Sequence, residues 1–144
     1  AKYPDVIYYP KWDAHSVFFW DPAGNLMEYI ARHTLNNAAE GEFTSKDILC
    51  VSEVCFMTKN VEETAKDMRF KLELNDYLHH NDHFYPIGDE NGLLINFPVG
   101  RNWRSNNDGD RKMTDAYPTK VVLRGDKEQY YKHSKYPFTI NTLK

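Results

Sequence analysis

This 144-residue sequence predicts an α+β fold built on βαβββ organisation, and three observations carry that prediction. A hairpin signal occurs twice at a constant offset. An apolar strand followed by a helical stripe lies between the two copies. Polar, Gly-containing turn segments punctuate the elements where hairpins need them.

The first hairpin signal runs from Asp13 to Glu28 and the second from Asn81 to Asn96. His15 aligns with His83, Asp21 with Asp89, Gly24 with Gly92 and Glu28 with Asn96, each pair 68 residues apart. In each copy an apolar strand enters a turn with Asp first and Gly fourth, then a second apolar strand follows. Between the copies, Asn36 to Lys46 is polar and reads as a linker. Ile48 to Met57 is apolar and β-branched enough for a strand. Asn60 followed by Glu63 resembles a capping box that opens a helix. Val61, Ala65, Met68 and Leu72 then recur at helical spacing, which gives one apolar stripe. A weakly marked strand near Asn75 to Leu78 precedes the second hairpin, so the order from Ile48 is one βαβββ unit. Val99 to Tyr117 is rich in Asn, Asp and Arg and reads as a long loop. Thr119 to Leu123 reads as an extra strand. The aromatic residues beyond Tyr130 show no clear periodicity.

Composition narrows the function classes. An apolar fraction of 41%, with 15% aromatic, fits a globular chain. A formal net charge of −3 without a basic run gives no support for a nucleic-acid or anionic-membrane partner. No apolar run approaches the length of a membrane span, and Ala1-Lys2-Tyr3-Pro4 does not resemble a signal peptide. Cys50 and Cys55 fall in one expected strand at odd separation, so they point to opposite faces and cannot bridge. They read as two reduced, mostly buried thiols of a cytoplasmic protein. No G-x-S-x-G, P-loop, Rossmann glycine pattern or H-E-x-x-H is present.

The residues from Phe18 to Glu28, with Asp21-Pro22-Ala23-Gly24-Asn25 at their centre, resemble the aromatic strand, D-P-x-G-N turn and terminal Glu of the vicinal-oxygen-chelate superfamily. This is the glyoxalase, bleomycin-resistance and extradiol-dioxygenase type. Ser52-Glu53-Val54 and Asn60-Val61-Glu62-Glu63 resemble the opening of a second module, and Gly88 to Ile95 resembles its closing hairpin. The resemblance implies paired βαβββ modules forming a cup. On that basis residues 1–37 are the C-terminal hairpin part of a first module, 38–46 a linker, 47–125 a second module with an extra strand, and 126–144 a C-terminal tail. The first module lacks its N-terminal part. Either a longer protein or another chain is therefore expected to supply it, and a homo-oligomer is the alternative partner.

Carried over residue by residue, the family's metal positions fall on Glu28, Glu53 and Asn96, with Glu28 as the catalytic carboxylate. Two carboxylates and a neutral amide suit a hard divalent cation, of unidentified kind, or none. Ser16, Phe18, Trp20, Cys55, Arg101 and Trp103 are the candidate ligand-binding residues. Arg101, Trp103 and Arg104 follow the last strand of the second module, where they suit an anionic small molecule or simple loop packing. Strand parity places Ser16, Phe18 and Trp20 on the face of Glu28, with His15, Val17 and Phe19 behind. The same count puts His83 on the face opposite that of Asn96. His79, His80 and His83 lack acidic or Cys partners at metal-ligand spacing and read as a solvated hairpin. Three functions stay open: a metal-dependent lyase or dioxygenase, a metal-free small-molecule binder of the resistance type, and a purely structural module.

Overall fold

The computed structural model describes residues 5–103 and 113–144. The chain divides into two compact units, Ala1–Leu49 and Cys50–Lys144.

The first unit is an antiparallel sheet of β1 (Ile7–Tyr9), β2 (Ala14–Trp20) and β3 (Leu26–Arg32), in that order. The β2–β3 turn is built by its sequence. The Asp21 carboxylate accepts the Asn25 backbone N–H at 2.7 Å and the Asn25 side-chain N–H at 2.8 Å. Those bonds favour the ionised form and hold the Asp21 pKa below its ordinary value. Gly24 takes φ of +81° and donates its N–H to Asp21 O at 2.9 Å, a conformation glycine adopts without strain. The first ladder pair is Trp20 with Leu26, the closure on which the parity count depends. Strand β1, only three residues long, is not signalled by the sequence. It pairs along β2, with Tyr8 opposite His15. At the end of the linker a capping box forms between Thr44 and Asp47. The Asp47 carboxylate accepts the Thr44 N–H at 2.7 Å.

The second unit contains β4 (Glu53–Thr58), α1 (Val61–Leu72), β5 (Tyr85–Asp89), β6 (Gly92–Pro98), β7 (Thr119–Arg124), β8 (Gln129–Lys132) and β9 (Phe138–Leu143). Strand β4 runs parallel to β6, which pairs antiparallel with β5, giving the order β4-β6-β5. Parallel neighbours need a crossover, and α1 supplies it. The expected strand near residue 76 is reduced to one bridge, Asp76 with Ile87. The order strand, helix, bridge, hairpin is the βαβββ order.

Residues 126–144 do not form a separate tail. They contain the whole of β8 and β9, which with β7 make a second three-stranded sheet ordered β7-β9-β8. Here too the first strand runs parallel to the central one and the hairpin partner antiparallel. One core joins both sheets to the helix. Ala65 and Met68 of α1, Phe56 and Leu94 of the first sheet, and Tyr131 and Ile140 of the second belong to one buried cluster. Polar bonds fix the same junction. Tyr131 Oη donates to Asp67 at 3.1 Å, and the Lys59 N–H donates to Tyr136 Oη at 2.8 Å.

Four local expectations are corrected. Asn60 does not cap α1 through its side chain; its Nδ2 instead donates to Glu63 Oε2 at 2.6 Å. The strand expected from Ile48 begins only at Glu53, so Cys50 lies outside it. Both cysteines are free, as expected, but exposed rather than buried. Finally, Tyr85 is registered with Asn96, so the parity that put His83 on the opposite face from Asn96 does not hold; His83 sits in an exposed turn before β5. No helix among the described residues is long and apolar enough to cross a membrane.

Candidate functional site

In the first unit, the β2–β3 register places Phe18 directly opposite Glu28, and Ser16 opposite Ile30. Ser16, Phe18 and Glu28 therefore share one face, because directly opposed residues project to the same side of a sheet. Ser16 is buried on that face, with its Oγ lacking a hydrogen-bond partner in the described structure. Phe18 and Glu28 are half-buried, and Trp20 is 38% exposed. His15, Val17 and Phe19 lie on the other face.

In the second unit, Glu53 is registered with Leu93 and Cys55 with Ile95, whereas Phe56 is registered with Asn96. Phe56 and Leu94 belong to the helix-side core. Asn96 therefore projects towards α1, fully buried, with Nδ2 donating to Tyr85 O at 3.2 Å. Its Oδ1 has no partner in the described structure. Glu53 and Cys55 project from the opposite face, Glu53 half-buried and Cys55 exposed. The structure does not bring Glu53 and Asn96 together. A sheet separates them, so they cannot ligate one metal ion, and the carried-over donor set does not fit a metal in this unit. Among the described residues no three His, Cys, Asp or Glu side chains converge as a metal-ligand group. Glu28 belongs to the first unit and Glu53 to the second.

What the second unit does assemble on the Glu53 face is an aromatic and cationic cluster. Phe97 follows Leu93 and Ile95 at strand spacing, so its ring emerges on that face. Trp103 meets it edge to face at 5.1 Å between centroids, and Phe84 lies 5.4 Å away on the Phe97 ring. The Arg101 guanidinium carbon lies 4.5 Å from the Phe97 centroid and 5.1 Å from that of Trp103, a cation–π contact to two rings. The backbone beneath is pinned. The Arg101 N–H donates to Thr114 Oγ1 at 2.9 Å, and the Thr114 N–H donates to Arg101 O at 2.9 Å. Thr114 Oγ1 in turn donates to Pro98 O at 3.1 Å. Arg104 lies outside the described residues.

Arg101 and Trp103 were legible from composition and position. Phe97 and Phe84 were not singled out, although the alternation of Leu93, Ile95 and Phe97 along β6 is the signal that finds the first. A groove of about 220 Å³ also opens between β4 and β7, with Glu53 and Val54 on one side and Lys120 and Leu123 on the other. It is smaller than pockets that enclose drug-sized ligands, roughly 300–1,000 Å³.

The chain is similar in structure to the crystal structure of a lactoylglutathione lyase from Agrobacterium tumefaciens, with a TM-score of 0.45 and 10% sequence identity, over 65% of this chain and 92% of that one. No family model and no curated protein matches the chain.

Proposed function

We propose that the protein binds a small planar molecule carrying an anionic group, on the face of the β4-β6-β5 sheet turned away from α1. The observation that carries this is the Arg101 guanidinium, whose central carbon lies within cation–π distance of both the Phe97 and the Trp103 ring. Contact with two rings holds the guanidinium in place, and its forked N–H groups suit bidentate recognition of a carboxylate or phosphate. The half-buried Trp103 and Phe84 rings, backed by the buried Phe97, offer aromatic surface for the ligand body. Cys55 projects from the same face, registered with Ile95, the residue before Phe97 on that face, while Glu53 is registered with Leu93 further along the strand. Among the functions the sequence leaves open, this favours small-molecule binding over a fold used only for assembly.

The test is a thermal-shift and tryptophan-fluorescence screen of aromatic carboxylates and phosphates against their neutral analogues. A ligand held only by the native state raises apparent stability. Anionic aromatics should raise the unfolding midpoint, and both Arg101→Gln and Trp103→Ala should abolish the rise. A screen in which neutral analogues do as well, or in which Arg101→Gln binds unchanged, rejects the proposal.

A further inference from the structure

We propose that His15 and His33 form a two-imidazole site for a borderline divalent transition-metal ion, of the Zn²⁺, Ni²⁺ or Cu²⁺ class. The two residues lie 18 positions apart in sequence, yet His15 Nδ1 and His33 Nε2 approach to 2.7 Å. The sheet makes this meeting. His15 is in β2, registered with Ala31 on β3 and Tyr8 on β1. His33 follows the end of β3, and its N–H donates to Asp13 O at 2.9 Å. The His15 ring is held by Tyr8, stacked at 4.7 Å, and Tyr8 Oη donates to Asp13 Oδ1 at 3.2 Å. The two imidazoles meet nearly edge to face, at 75°.

Two facing imidazole nitrogens share a single hydrogen; a metal ion takes a lone pair from each, and the displaced hydrogen is carried by the other ring nitrogen of the donating histidine, so both ligate as neutral imidazoles. With metal–nitrogen bonds of about 2.0–2.1 Å, two ligands in adjacent positions stand about 2.9–3.4 Å apart. The rings therefore need to part by less than about 1 Å, which side-chain rotation supplies. Both histidines are exposed, so an ion reaches them from solvent. No third His, Cys, Asp or Glu joins them among the described residues, so water or an added ligand completes the coordination. Imidazole nitrogen selects Zn²⁺, Ni²⁺ or Cu²⁺ over Mg²⁺ or Ca²⁺, which take oxygen. The site belongs to the first unit and uses none of the residues of the ligand-binding proposal, which lie in the second, so the two are tested independently.

Calorimetric titration of the untagged full chain with NiCl₂ at pH 7.5 tests the site, with Cu²⁺ electron paramagnetic resonance as a second readout. One saturable equivalent and a two-nitrogen spectrum are expected. Each of His15→Ala and His33→Ala should weaken binding about tenfold or more, the loss of one arm of the chelate. His79→Ala with His83→Ala should leave it unchanged, and MgCl₂ should not compete. No saturable binding overturns the proposal. So does binding that survives His15→Ala or His33→Ala, that is lost with His79 and His83, or that MgCl₂ displaces.

Discussion

Glu53 and Asn96 lie on opposite faces of the same three-stranded sheet, Glu53 registered with Leu93 and Asn96 with Phe56. Asn96 is fully buried on the helix side, so its amide is a structural group. Asn96→Asp removes the Nδ2 donor to Tyr85 O and puts a carboxylate where no described cation reaches it. We expect a loss of about 3 kcal/mol or more, the cost of a buried, unsatisfied charged group. Urea unfolding monitored by circular dichroism measures it. A substitution that is neutral, or that is restored by added divalent ions, contradicts the placement of Asn96.

The helix separates packing from exposure within two residues. Met68 is fully buried in the shared core, and Phe70 is 84% exposed. Met68→Ala should cost about 2–5 kcal/mol, because the cavity adds to the lost transfer energy. Phe70→Ala should stay within about 0.5 kcal/mol of the parent. Equal effects at the two positions in denaturant titrations would show that α1 is rotated from the orientation described.

His133 links stability to pH. Its Nδ1 accepts the N–H groups of Lys135 at 3.0 Å and Tyr136 at 3.1 Å. The remaining ring hydrogen is therefore on Nε2, which faces Thr64 Oγ1 at 3.4 Å. Burial lowers the His133 pKa, opposed by the charge of Asp67 and aided by that of Lys135. The neutral ring is the folded form, so its contribution is fully present above the ordinary histidine pKa of about 6.5. It is lost as pH falls from there through the lowered folded-state value, since the unfolded chain binds the proton first. Unfolding midpoints compared between pH 7.5 and 5 should fall more for the parent than for His133→Gln. An identical fall in both removes His133 from the account.

The parts of this fold that were legible in sequence are those with long periodic runs. Val61, Ala65, Met68 and Leu72 gave α1 because four buried residues at helical spacing have no strand equivalent. Strands β8 and β9 were illegible for a physical reason. In β9 the buried positions are Phe138, Ile140 and Thr142, so a buried hydroxyl interrupts the apolar alternation, and β8 spans only four residues. The relation of His83 to Asn96 was misread because the two hairpins share a spacing from glycine but not a turn. The first closes at Trp20 and Leu26, leaving Gly24 in the loop. The second closes at Asp89 and Gly92, with the glycine already in the ladder. Counted from closure, Glu28 is the third ladder position of β3, and its counterpart in β6 is Leu94, not Asn96. The Arg101, Phe97 and Trp103 cluster was half legible, since residue type marks Arg and Trp, but only the register shows which face Phe97 joins.

The tight β5–β6 hairpin makes the last prediction. Gly88 has φ of +112°, and its N–H donates to Asn75 O at 2.9 Å. A Cβ on Gly88 would sit 2.2 Å from Gly92 O. That oxygen is backbone, held in the β6 ladder, so it cannot swing aside as a flexible side chain would. Gly88→Ala therefore combines an unfavourable backbone conformation, about 1–3 kcal/mol, with a clash that only a shift of the hairpin relieves. Gly41 gives the control. Its φ is +97°, but nothing lies within 4 Å of an added Cβ, so Gly41→Ala meets the conformational term alone. Thermal unfolding of the two variants should show the larger loss for Gly88→Ala, with altered amide shifts at Gly92 and Leu93. If Gly41→Ala proves equally damaging, steric closure at Gly92 is not what reserves position 88 for glycine.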